Sequence, residues 1–444
     1  MKSNEHTLRE HNYATPGFQP RSDLLNRLRG PGDGWLRRIL ASLQHCNRET
    51  FSSLYIRNYR LYYIGQIISN SGTFMQSVAQ AWLILQLTHS GVALGLTSTL
   101  QYLPFLVLGP YGGVLADRFP KRKILYVTQS VAGLLALILG ALVVTGLVQV
   151  WMVYALAFCL GLVTVFDNPA RQTFYVEMVG AEQLKNAVTL NSILVNLSRI
   201  IGPALGAALI ASLGLAPCFL INGLSYVMVV IMLAMMRADE LQITPPLPHA
   251  RGQVLEGFRY VLSTPRIGFT LLIMAIIGTL TYEFHISLAL LAQSTFKGDA
   301  ASYAFLAACM GMGATAGGIV FASRKDIRFP SLVSACFLFG LAVLGAAFMP
   351  SLVTTGLVMV LVGIFSINFS TLGNSLLQLE SSPQMRGRVM AFWSIAFLGS
   401  TTIGAPLVGW FAQVAGPRYG LALGGGAALV GAALGAVTLR KKER

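Results

Sequence analysis

The chain has 444 residues, 54% of them hydrophobic and only 11% charged, with 45 glycines and a net charge of +15. Soluble domains carry about 25% charged residues. A chain this apolar cannot cover its own surface in water, so composition excludes an ordinary soluble domain and reads as a polytopic membrane protein.

A spanning helix takes roughly 20 mostly apolar residues. Short polar breaks cut the sequence into about twelve such spans, near 61–87, 91–115, 124–146, 149–174, 186–212, 216–236, 267–295, 301–323, 330–349, 352–378, 388–414 and 418–439. The expected fold class is therefore all-α, integral to the membrane, with twelve transmembrane helices. Ahead of them, residues 1–50 lack an uninterrupted apolar stretch and do not read as a signal peptide. They read as a disordered basic cytoplasmic arm, in which "WLRRILASLQ" (35–44) is a short amphipathic helix on the inner leaflet. Span one carries a polar stripe of Asn70, Thr73, Ser77 and Gln80 at spacings of 3, 4 and 3. Such stripes bind helices together more often than they bind solute, and both roles stand open for Asn70 and Gln80.

The basic excess is topology rather than nucleic-acid recognition. With the N-terminus inside, only Lys297 and Arg418 of the 32 Lys and Arg fall in outward loops, and Arg199 falls within a span. The others lie inside, including Arg118, Lys121, Arg122 and Lys123 and the tail Arg440, Lys441, Lys442 and Arg444. That is the positive-inside asymmetry, and it places both termini in the cytoplasm.

Span two ends in "GGVLADRFPKRKIL" (112–125), with small Gly113, a carboxylate, Asp117, at the membrane edge, and then a basic cluster. This stretch resembles the loop 2–3 motif of the major facilitator superfamily, Gly-x-Leu-Ala-Asp-Arg-x-Gly-Arg-Lys-x-x-Leu, with Pro120 replacing the usual Gly. The resemblance implies two six-helix pseudo-repeat halves around a central cavity. It also implies a cytoplasmic gate of Gly113, Asp117, Arg118 and Arg122, with Asp117 latching onto the start of span eleven. Arg386 and Arg388 open that span beside its positive helix N-terminus. The second half's "GGIVFASRKDIRF" (317–329) has lost the Asp register, so one latch of this type is expected.

On span four, Asp167 precedes Arg171 by four residues on one helical face. A local ion pair and a proton-linked role are equally open. Span five contains "NLSRIIGPALG" (196–206), where Gly202, Pro203 and Gly206 resemble the superfamily's antiporter signature. Proline frees a backbone carbonyl and small residues permit close packing. The stretch is merely a kinked helix or, as the resemblance implies, the mark of an exporter. Arg199 either neutralises an acid or binds an anionic group on the solute. "RNYRLYYIGQIISNSGTFMQSVAQAWLILQLTHSG" (57–91), "DNPARQTF" (167–174) and "QLESSPQMRGRVMAF" (378–392) look like the third drug/proton antiporter subfamily, with its macrolide-efflux and enterobactin-exporter relatives. That resemblance covers about residues 50–440.

The longest internal polar break, 237–265, divides an N-terminal half (51–236) from a C-terminal half (266–440). It holds an extended "TPPLP" (244–248), then "VLEGFRYVL" (254–262), whose spacing predicts an interfacial helix. The halves echo each other in "GPALG" (202–206) and "APLVG" (405–409), and in "EQLKNAV" (182–188) and "PQMRGRV" (383–389), a trace of parallel repetition.

Span seven carries "TLTYEFHISLALL" (279–291), with Glu283 in otherwise apolar surroundings. A charge at mid-bilayer costs at least ~2.5–3.5 kcal/mol on insertion scales, so it normally faces a cavity or a partner. Glu283 lies 17 residues beyond Arg266, or ~25 Å at helical rise, in the outer half of the span. A carboxyl that is neutral with its proton and charged without it can couple proton flow to opening and closing. A satisfied structural carboxylate is the alternative. His285, two residues on, is expected on a different helix face, hydrogen-bonded rather than a relay. Family architecture lines the cavity with spans one, four, seven and ten, so Tyr282 and, on span ten, Asn374 join Arg199 as cavity candidates.

Five scattered cysteines show neither metal spacing nor a disulfide framework. No Walker-type phosphate loop or nucleophile elbow is present, so neither an ATP-driven pump nor an enzyme is supported, and no cofactor or metal is expected. The reading is a monomeric secondary transporter of the bacterial inner membrane. Its partners are the lipid bilayer, protons and a hydrophobic or amphipathic small molecule (drug, siderophore or natural product), exported by alternating access. Proton-symport or facilitated uptake is one alternative; a sensor or secretion partner that moves nothing is the other.

Overall fold

In hydrocarbon a backbone must satisfy its N–H and C=O groups internally, which leaves helices for the apolar runs. The computed structural model describes residues 51–242, 253–322, 327–382 and 385–440, and contains no strand among them. The expected arm over 1–50 and the extended "TPPLP" lie outside the described residues, as do the side chains of 110–117. The helices of the first half are Arg57–Thr88, Gly91–Arg118, Lys121–Val144, Val150–Leu213 and Ala216–Ala234. The fourth of these holds spans four and five, separated at Gly180, whose φ of 73° and ψ of 171° interrupt the helix. A side chain would be strained in that left-handed conformation.

After a linker helix, Gln253–Ser263, come span seven in three pieces, then Ala300–Ala322, Phe329–Ala347 and Leu352–Glu380. Span eleven runs over Arg386–Ser394, a π-helical turn at Ile395–Gly399 and Thr401–Ala415, and span twelve is Pro417–Arg440. Ten helical stretches are long and apolar enough to cross a bilayer. Spans four and five count as one of these, and span one, with its polar stripe, is not among them. Large apolar side chains such as Leu134, Leu224, Leu357 and Ile319 stand exposed on the bundle surface, as a lipid-facing belt requires.

The two halves meet along spans two and eleven and along spans five and eight. Small residues make that approach possible: a Cβ at Gly91 would lie 2.6 Å from Gly409 O, and one at Gly311 would lie 2.7 Å from Arg199 O. Hydrogen bonds across the seam join Ser90 to Gln413 (3.0 Å), Thr99 to the Thr402 carbonyl (3.0 Å) and Thr315 to the Asn196 carbonyl (3.4 Å). These contacts run from the middle of the bundle to the face opposite the linker. They tie the halves together there.

Candidate functional site

Span seven is where the sequence-based expectation and the structure part company. A continuous helix over 267–295 is expected, but the helix Pro265–Leu280 stops, Glu283 takes φ −81° and ψ 39°, and a short helix Phe284–Leu290 restarts before a π-helical turn, Leu291–Thr295. Neighbouring spans hold the break. Thr281 donates its hydroxyl to the Gly424 carbonyl on span twelve (2.7 Å), and Tyr282 donates to the Ser366 carbonyl on span ten (3.0 Å). Span eleven presses against the same stretch, where a Cβ at Gly404 would sit 1.8 Å from Thr279 O.

The break sets the geometry of Glu283. Its side chain is fully buried, and neither carboxylate oxygen has a hydrogen bond of normal geometry. Thr401 of span eleven faces the carboxyl without closing such a bond, and Tyr102 of span two is a further neighbour. His285 approaches with Nε2 at 3.9 Å from Oε2. On an unbroken helix two residues apart would diverge by about 200° at 3.6 residues per turn; the non-helical Glu283 brings them together instead. His285 is hydrogen-bonded as expected, to Ser98 Oγ at 2.7 Å, but its expected separation from Glu283 is corrected.

His285 also borders a central cavity of about 340 Å³ between the halves. Phe74 and Ser77 of span one and Arg199 and Pro203 of span five enter from one half. Tyr282 and Phe284, then Tyr303 on span eight, enter from the other, and Phe397 comes from the π-helical turn of span eleven. The Tyr282 and Phe397 rings meet edge-on with centroids 4.9 Å apart. Two of the residues expected at a cavity, Arg199 and Tyr282, are therefore together. Asn70 lines a second cavity of about 440 Å³ inside the first half. Gln80 and Asn374 line neither; Asn374 accepts a hydrogen bond from Gln378 on its own helix.

Asp167 borders the second cavity, and all its charge is engaged. Thr128 and Gln129 on span three each donate to Oδ1 at 2.7 Å, and Arg171 donates to Oδ2 through Nε at 3.0 Å and through a second, closer guanidinium nitrogen. Arg171 reaches on to Gln66, whose side-chain oxygen also accepts from Asn70 at 3.1 Å.

At the gate, the Asp117 and Gly113 side-chain positions lie outside the described residues. Arg118 and Arg386 are exposed. Arg122 spends its donors on the end of span six, reaching Leu233 O at 2.7 Å and Met236 O at 3.0 Å, which satisfies helix-terminal carbonyls. Arg388 pairs with Glu256 of the linker helix at 2.7 Å. In the same contact Phe258 lies against Phe392, and Ser382 N–H donates to the Tyr260 hydroxyl at 3.1 Å. The antiporter-type motif packs span five onto span one: a Cβ on Gly202 would fall 2.6 Å from Phe74 Cβ, while Pro203 faces the central cavity and Gly206 sits over Met75. Sequence reasoning passed over a buried pair, Lys121 with Glu177 at 3.4 Å, that ties span three to the end of span four. No pattern marked it, because its partners lie far apart in the chain.

Known proteins resemble this arrangement at two levels. The chain is 28% identical to the enterobactin exporter EntS of Shigella flexneri over 357 residues, covering 79% of this chain and 84% of that protein. The EntS of Escherichia coli O81 is 27% identical over the same extent. Among solved structures, an inward-facing bacterial homologue of the human lysosomal transporter Spinster superposes with a TM-score of 0.66 at 14% identity, covering 86% of this chain and 96% of that one. The nucleoside transporter NupG gives 0.67 at 10% identity, covering 86% and 99%; at such identities the likeness is one of fold. The profile of the family described as transmembrane secretion effector matches residues 48–444. This chain therefore belongs to that family, among the transporters of the major facilitator superfamily.

Proposed function

We propose that the protein is a proton-coupled exporter of the bacterial inner membrane, a monomer with both termini in the cytoplasm, that carries an amphipathic small molecule such as a siderophore. The basic loops lie on the linker face, which the positive-inside rule assigns to the cytoplasm. The hydrogen bonds between the halves at Ser90–Gln413 and Thr99–Thr402 lie toward the opposite face, which supports solute entry from the cytoplasmic side. The EntS relatives, named as exporters of enterobactin, support outward movement of a siderophore-like solute.

The observation that carries the reading is Glu283. A carboxylate buried without a hydrogen bond is costly unless it takes up a proton or gains a partner. It stands on a broken helix whose next residues, Phe284 and His285, line the solute cavity. Proton gain or loss at Glu283 and solute occupancy therefore act on the same few residues. Asp167, already saturated, serves as a structural anchor.

Inverted vesicles carrying the wild type or Glu283→Gln test this, with enterobactin, a macrolide and a lipophilic cation added in turn. Solute addition is expected to dissipate an imposed pH gradient in the wild type and to leave it intact in Glu283→Gln. Equal dissipation in both would remove Glu283 from the coupling. Dissipation only when solute is added from the far face would favour uptake.

A further inference from the structure

The central cavity holds a cation that no described residue neutralises. Arg199 sits in mid-span, where spans five and eight cross at the seam between the halves. Its guanidinium lies over the Phe74 ring, 5.9 Å from the centroid. Among the described residues it makes no hydrogen bond or ion pair; Arg171, by contrast, is tied to Asp167. Glu283 is not among the residues that border the cavity, and the other described residues that border it carry no carboxylate. A guanidinium has five N–H donors in a planar fork suited to a carboxylate or other oxyanion. A ring face beneath it offsets only part of the cost of placing a charge at mid-bilayer. Among the described residues Arg199 is left with unpaired N–H donors and an uncompensated charge.

The opposite wall says what else the occupant carries. Tyr282, Phe284, Tyr303 and Phe397 present aromatic surface to the cavity. The Tyr282 hydroxyl is turned away from solute recognition, because it donates to Ser366 O at 3.0 Å and accepts from Ser366 Oγ at 3.2 Å. His285 Nε2 is likewise engaged with Ser98. The cavity thus offers one free strong donor group and aromatic faces, in a volume at the lower end of the ~300–1,000 Å³ typical of ligand pockets.

We infer that the central cavity selects solutes with an anionic aryl group, a carboxylate or phenolate on or beside an aromatic ring, held by Arg199 from one half and stacked on the Tyr282–Phe397 wall of the other. This inference rests on the exporter reading and narrows its solute class: lipophilic cations are rejected by the same charge. Bridging both halves also lets one ligand bear on their seam.

Two fluorophores with one xanthene scaffold, anionic fluorescein and cationic rhodamine 123, test the selection. Their binding is read by anisotropy against the full-length protein in nanodiscs, with empty nanodiscs subtracted. The wild type is expected to bind fluorescein at least tenfold more tightly than rhodamine 123. Arg199→Gln should lose that preference by weakening fluorescein at least tenfold, and Arg199→Lys, which keeps the charge but not the fork, should fall between. A wild type that prefers rhodamine 123, or binds both alike, overturns the inference whether or not any variant folds. So does an Arg199→Gln protein with wild-type melting and unchanged fluorescein binding. Proton movement driven by lipophilic cations would sink this selection and leave proton exchange standing. Fluorescein binding without any solute-driven proton movement would do the reverse.

Discussion

Asp167 in the first half and Glu283 in the second are both buried within the bundle, and the two are held in opposite ways. Asp167 collects donors from Thr128, Gln129 and Arg171 on helices that run unbroken past it. Glu283 has no donor of normal geometry and sits where its helix is interrupted. Burial alone therefore does not distinguish a working acid from an anchoring one. The number of satisfied lone pairs, and whether the helix runs unbroken beside them, separates the two. Asp167 has donors on both of its oxygens, and Glu283 has one on neither.

The largest effect should come from breaking the saturated side. Asp167→Ala removes a buried carboxylate and leaves half-buried Arg171 without its anion, and loss of one partner of a buried pair costs about 3–5 kcal/mol. Thermal unfolding in detergent should show a large drop, and Glu283→Gln, which forfeits no hydrogen bond, should melt near the wild type. If the two variants melt alike, the contrast between the acids fails. Next is the seam that holds the span seven break. Gly404→Val would drive a side chain into Thr279 O, 1.8 Å from its Cβ, and overpacking of this kind costs about 1–3 kcal/mol or more. Gly318→Val, with nothing within 4 Å, is the matched control and should be silent.

The smallest effect concerns a carboxylate outside the membrane. Asp299 caps span eight: Ser302 N–H donates to its Oδ1 at 2.9 Å, and the Ser302 hydroxyl adds a bond at 3.0 Å. The backbone bond from Ser302 comes first in holding its carboxyl below the usual carboxylate range. A depressed carboxyl contributes stability that is full above its unfolded value and fades as pH falls through its folded one. Asp299→Ala should therefore cost about 1 kcal/mol near neutrality, with the gap to wild type closing in acid. A gap that persists in acid would mean the lost interaction is not the charged cap.

Most of the bundle was legible, because apolar length alone locates membrane helices, and the basic residues sort by side. Span one shows the limit: Gln66, Asn70 and Gln76 lower its hydropathy, and their partners, Arg171 and Asn222, sit on other spans. Arg199 and Tyr282 could be nominated for the cavity from their spans. Their shared wall with Phe397 could not, since it depends on a π-helical turn in span eleven. The break at Thr281–Glu283 was invisible for a plainer reason. It contains no glycine or proline, and what interrupts the helix is the grip of Gly424, Ser366 and span eleven on its backbone and side chains. With the break hidden, His285 was assigned to the wrong face. Arg122 shows the same gap at the gate: its charge is plain in the sequence, its helix-capping partners on span six are not.

The central proposal is that Glu283, and not Asp167, is the carboxyl that links proton exchange to solute. Solute-induced infrared difference spectroscopy in the carboxyl region, on proteoliposomes of wild type, Glu283→Gln and Asp167→Asn, reads this directly. A protonated-carboxyl band that rises or falls with solute in the wild type and in Asp167→Asn, and is missing from Glu283→Gln, is the expected result. A band that survives in Glu283→Gln, or disappears in a folded Asp167→Asn, would contradict it.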